Sequence, residues 1–217
     1  MIDRLCAMAD MPKPRVGVAD LDIPNAFATG RSPDRAVVCV TTGILGRLTA
    51  EELEGVLAHE LSHVAHRDVL VMTIASSAGI AAGLLMRFTQ FGGMGRSRGN
   101  NNSALPVALV VLLVSLLVYA VSFVMLRVLS RYRELCADRS GAYLTMKPAA
   151  LASALQKISG EVAATPQRDL RANAASALCI VPALRGGVSG LMATHPPLQQ
   201  RLEQLARIQA ELSRPTG

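Results

Sequence analysis

Residues 49–86 read TAEELEGVLAHELSHVAHRDVLVMTIASSAGIAAGLLM, and three signals overlap in them. Thr49, followed three residues later by Glu52, forms a capping-box pattern that opens a helix. Leu53, Val56, Leu57, Leu61 and Val64 then recur at helical spacing. No breaker residue intervenes before Val69, so the helix is expected to run on through Val69–Met86, 18 residues without a charge. Inside it lies HELSH, residues 59–63. Histidines at i and i+4 share one helix face, which brings His59 and His63 within reach of one ion through their ring nitrogens. Glu60, beside the first, is placed to take a proton from a water on that ion. The plainer alternative makes both histidines ordinary surface or core residues.

Downstream, a Gly-, Asn- and Arg-rich loop over 87–104 leads to a second apolar run, Leu105–Leu126, 22 residues without a charge. At ~1.5 Å per residue it spans a ~30 Å hydrocarbon core. The first run is shorter and richer in Gly, Ala and Ser. Its Gly79 and Gly83 form a small-xxx-small surface on which a partner helix can approach closely. The two runs are read as a transmembrane hairpin, against the alternative of a buried helical hairpin in a soluble protein.

The rest of the chain frames this hairpin. Residues 1–12 have the pattern of a short amphipathic helix ending before Pro12 and Pro14. Val16–Ala19 and Ala36–Val40, separated by turn-rich pieces, predict two or three strands of a small antiparallel sheet with an exposed edge. Helices are expected from Pro148 to Ser159 and from Pro196 to about Leu212, with a loop-rich stretch over 160–194. The fold class is α+β and mainly α, in three parts: 1–68 with the sheet and the HExxH helix, the hairpin over 69–126, and 127–217. Hydrophobic residues make up 51% and charged residues only 18%, which few soluble domains match. The net charge of +6 comes without tryptophan and without a nucleic-acid motif, so membrane lipid, not nucleic acid, is the expected partner. Four scattered cysteines and no CxxC pair read as free thiols in a reducing compartment.

A catalytic zinc takes three protein ligands and keeps an open position. His66 lies three residues past His63 but seven past His59, which fits the same ion poorly. Asp68 falls at the membrane boundary. Glu134, in SRYRELCADRSG, is the best third ligand, because the hairpin returns the chain to the side it left, just before Glu134. Asp138, four residues on, shares that face and is placed to accept a hydrogen bond from a ligand imidazole. The alternative is an acidic patch paired with the local arginines.

With these residues in hand, the sequence resembles the HtpX-like membrane metalloproteases, relatives of the CAAX prenyl endoproteases. The resemblance rests on blocks in the family's order: MPKPRVGVADLDIPNAFATGRSP, TTGILGRLTAEELEGVLAHELSHVAHRDVLVMTIA, SRYRELCADRSGA and LMATHPPLQQRLEQL. It implies a zincin-type endopeptidase with one Zn2+ per chain and the glutamate of RELCAD, Glu134, as third ligand. It further implies a bacterial inner membrane, a cytoplasmic catalytic face, and a role in clearing damaged or unfolded membrane proteins. Arginine counting agrees: Arg67, Arg127, Arg131, Arg133 and Arg139 flank the site, against Arg87, Arg96 and Arg98 in the connecting loop. Family members usually carry two further transmembrane helices ahead of the MPKP block. The sequence therefore reads either as part of a longer chain or as a shorter variant.

An edge strand near Asn25, Ala26 and Phe27 is a candidate for holding substrate by β-addition, or is an ordinary sheet edge. His195, at the start of the last helix, is expected at its cap position as an oxyanion donor, as a gate on the open metal position, or as a plain helix start. Arg201 is a candidate fixed positive charge assisting it. Two rival functions keep the same motifs: a dedicated processing protease acting on a lipid-modified chain end, and a non-catalytic membrane adaptor.

Overall fold

The structure, a computed structural model, describes residues 1–92, 104–164 and 196–214. Helix α1 (Ile2–Met8) is shorter than the expected 1–12, because Asp10 turns left-handed at φ 46° ahead of Pro12. Strands β1 (Arg15–Ala19), β2 (Ala26–Thr29) and β3 (Val37–Thr41) form one sheet in the order β1-β3-β2. The expected antiparallel sheet is in fact mixed: β2 runs antiparallel to β3, whereas β1 runs parallel to it. The chain reverses before and after β2, so the first and third strands point the same way and β3 takes the centre. The second reversal requires a glycine. Gly30 sits at φ 132°, and a Cβ there would lie 2.7 Å from Ala36 Cα and Arg35 O.

Thr41 ends β3 and caps α2 (Thr42–Arg47), accepting the Ile44 N–H on its hydroxyl at 3.2 Å. Helix α3 (Ala50–Ala65) opens on the capping box: Glu52 Oε2 accepts the Thr49 N–H at 2.8 Å and Thr49 Oγ1 accepts the Glu52 N–H at 3.3 Å. Its apolar stripe, Val56, Leu57 and Leu61, joins Val38, Val40 and Ile44 in one core. The other side of that core comes from α6 (Pro148–Ala164) and α7 (Leu198–Leu212), through Leu151, Leu155, Ile158, Leu205 and Ile208. Each fully buried Leu or Ile contributes about 1.5–3 kcal/mol, so this cluster holds α3 firmly.

Helix α3 does not continue into the apolar run. His66 caps it, Arg67 turns left-handed at φ 55°, and α4 (Asp68–Gly92) starts afresh. No glycine or proline marks the break. Helix α5 (Ala104–Thr145) has 42 residues, about 63 Å, roughly twice a hydrocarbon core, so its apolar half and its polar half do different work.

Two compact units result: Met1–Val69 with Ser130–Gly217, and Leu70–Leu129. The stretches Asp68–Phe88 and Leu109–Thr145 are long and apolar enough to cross a membrane, with mean hydropathy of 2.0 and 2.9. Of the apolar 18-residue window in each, only 11% and 6% is buried. A core helix of a soluble protein would be mostly buried, whereas these apolar faces are left uncovered among the described residues. Within the hairpin the glycines allow close approach: a Cβ on Gly79 would lie 3.2 Å from Ser122 Cβ, and one on Gly83 3.9 Å from the Tyr119 ring.

Candidate metal centre

One turn of α3 places the His59 and His63 rings edge to face, centroids 4.7 Å apart, and α5 brings Glu134 against both. The two Nε2 atoms are 3.2 Å apart, Glu134 Oε1 is 3.5 Å from His63 Nε2, and Glu134 Oε2 is 3.7 Å from His59 Nε2. The structure brings Glu134 together with the two histidines, and the three donor groups lie within 4.8 Å of one another. Helix α5 can come this close because residue 141 is glycine. A Cβ there would lie 3.0 Å from His59 N.

The chemistry of this donor set fits a cation. Each imidazole turns Nδ1 to an aspartate: His59 Nδ1 is 2.9 Å from Asp138 Oδ1, and His63 Nδ1 is 2.6 Å from Asp68 Oδ2. Those partners favour the proton on Nδ1, which leaves two Nε2 lone pairs and two carboxylate oxygens converging on one point. Without positive charge such a convergence is repulsive. Four-coordinate zinc, with bonds of about 2.0–2.2 Å, spaces its ligand atoms ~3.4 Å apart, close to the 3.2–3.7 Å seen.

Glu60 is buried on the same helix, and burial pushes its carboxyl above the ordinary range, only partly offset by the two histidines. Its Oε2 accepts the Ala28 N–H at 2.9 Å, which ties it to β2. Strand β2 is the edge strand on the α3 side of the sheet. Asn25 and Ala26 at its start are buried, Phe27 is half-buried, and the Asn25 N–H donates to Thr41 Oγ1 at 2.9 Å. Asp138 is fully buried and is gripped from α7: Arg201 Nε and Nη2 donate to its two oxygens at 2.7 and 2.6 Å. Arg201 Nη1 is 3.6 Å from Glu134 Oε2, so its guanidinium is taken up by the carboxylates behind the site. His195 lies outside the described residues, and the cap position expected for it is held by Pro197.

Asp68 is the residue that sequence reasoning missed. Five positions past His63 on a continuous helix it would point elsewhere; the turn at His66-Arg67 brings it back. The only signal available was the acidic residue itself, next to the histidine pair at the mouth of an apolar run.

The chain matches the model of peptidase family M48 over residues 1–209. The chain belongs to peptidase family M48. This M48 peptidase is 56% identical over 215 residues to Protease HtpX homolog 1 of Streptomyces coelicolor, covering 98% of the chain and 70% of that relative. It is 50% identical over 216 residues to Protease HtpX homolog 2 of Methanosarcina acetivorans and 50% over 218 residues to Protease HtpX homolog of Moorella thermoacetica. Each of these two alignments covers 98% of the chain and 72% of the relative. The crystal structure of S. mikatae Ste24p shares the fold, with a TM-score of 0.58 at 19% identity, over 94% of this chain and 48% of that one. Family, relatives and the two apolar helices together make this M48 peptidase a membrane-bound metalloprotease.

Proposed function

We propose that this M48 peptidase is a zinc endopeptidase of a bacterial inner membrane that cleaves damaged or unfolded membrane proteins, its catalytic face cytoplasmic. The observation that carries the metal and its use is the convergence of His59, His63 and Glu134 beside a buried Glu60. When bound, zinc would supply a Lewis acid that acidifies water and polarises a peptide carbonyl. The chain's own residues do the rest. His59, His63 and Glu134 hold the ion, and Glu60 accepts the proton that the attacking water loses and passes it to the leaving amine. Asp138, gripped by Arg201, keeps the His59 ring turned. Burial raises the Glu60 carboxyl above its ordinary range, which makes its carboxylate a better proton acceptor than an exposed one.

Substrate is proposed to lie along β2, whose outer edge flanks α3. Main-chain pairing there reads backbone and not side chains, which suits a protease of many unfolded sequences. The arginine excess on the catalytic side and the free thiols Cys6, Cys39 and Cys136 support a cytoplasmic face. An unfolded membrane-protein substrate, incubated with the purified chain in detergent, tests the reading. Cleavage should stop with a chelator and return with zinc. Cleavage untouched by chelation would contradict it.

A further inference from the structure

The His66-Arg67 turn gives the second histidine a partner of its own. On a continuous helix, a residue five positions on lies about 140° round the axis, so Asp68 would face away from His63. The left-handed Arg67 breaks the helix and swings Asp68, the first residue of α4, back to 2.6 Å from His63 Nδ1. Arg133 of α5 fixes the turn from the other side, pairing with the Asp68 carboxylate and donating to the His66 carbonyl at 3.2 Å. The Asp68 side chain is only 12% exposed, so this contact is largely shielded from water. The arrangement matches the one at the first histidine: His59 with Asp138 and Arg201, His63 with Asp68 and Arg133.

We propose that Asp68 is a positioning residue of the metal centre. It holds the proton on His63 Nδ1 and fixes the ring so that Nε2 faces the ion, while Arg133 holds Asp68 in place. The metal centre is thereby built partly from the first residue of the helix that becomes the first apolar span. The inference rests on His59, His63 and Glu134 binding a metal. An acidic residue at a helix start also favours the helix dipole, but that role touches the helix and not the ion.

The test is zinc affinity of the full chain in detergent, stripped and then titrated against a competing fluorescent chelator. Wild type should take one equivalent, and His59→Ala should lose it. Asp68→Ala should weaken zinc binding roughly 10–100-fold in an apo chain that is still folded at the temperature of the titration. Asp68→Asn, which keeps an acceptor oxygen, should recover most of that loss. The cobalt-substituted wild type and Asp68→Ala should differ in their visible spectra. If Asp68→Ala does not fold, Arg133→Gln loosens Asp68 without removing it, and a loss of up to about tenfold is expected. Wild-type affinity in Asp68→Ala, or in Arg133→Gln where that variant stands in, would overturn the inference alone. Equal losses in the Asn and Ala variants would overturn the hydrogen bond as its basis. A wild-type chain that takes up no zinc would overturn the reading of the site and this inference with it.

Discussion

Glu60 and Arg201 are both buried beside the metal centre, and their environments assign them different work. Glu60→Gln preserves shape and an acceptor for the Ala28 N–H but removes the ability to take a proton. Turnover of an unfolded substrate should fall by a factor on the order of 100 or more, with metal content unchanged; near-wild-type turnover would remove Glu60 from the chemistry. Arg201 was read from sequence as a charge assisting the reaction. In the structure both of its best hydrogen bonds go to the fully buried Asp138. Arg201→Ala would strand that carboxylate, at a cost of about 3–5 kcal/mol, seen as a lowered midpoint in denaturant unfolding. Asp138 itself was legible, since it lies one helical turn past Glu134. Its pairing with Arg201 was not, because 63 residues separate the two and nothing local marks the contact.

At the scale of elements, the site depends on how closely α5 approaches α3. Gly141 sets that approach, its missing Cβ making room for the His59 backbone. A helical glycine ordinarily weakens a helix by ~1 kcal/mol relative to alanine, so a larger residue here would help if space allowed. Space does not allow it: the neighbours are backbone atoms that cannot rotate away. Gly141→Val should lower both the unfolding midpoint and zinc affinity, on the scale of 1–3 kcal/mol for overpacking. Glu52 joins α3 to α6. Burial pushes its carboxyl up, but hydrogen bonds from Lys157, Ser153 and the Thr49 backbone outweigh burial and hold it at about 2. Its folded value is below the ordinary 4.5, so its contribution is present above about 4.5 and is lost as pH falls toward 2. Glu52→Gln should flatten the stability profile in that window, as acid titration of the unfolding midpoint would show. The α3 cap and apolar stripe were plain in the sequence because both are local. The break at His66-Arg67 was hidden because no glycine or proline announces a left-handed arginine, and the parallel β1–β3 pairing because strand direction depends on connections, not on strand composition.

For the whole molecule, the proposed membrane topology has the two apolar helices cross the bilayer twice between the two halves of the metal site. Single-cysteine variants at Leu45 and Thr145, in a chain otherwise free of cysteine, should therefore label from the same face of sealed vesicles. Labelling from opposite faces would remove the hairpin. The two apolar helices were readable from two charge-free runs in sequence, whereas the residues that meet at the metal site were readable only in part. The central claim is that ligands from both sides of the hairpin hold one ion, and elemental analysis of the purified chain beside its Glu134→Ala variant tests it most directly. About one zinc per wild-type chain and a marked loss in Glu134→Ala is the expected result; full occupancy in the variant would contradict it.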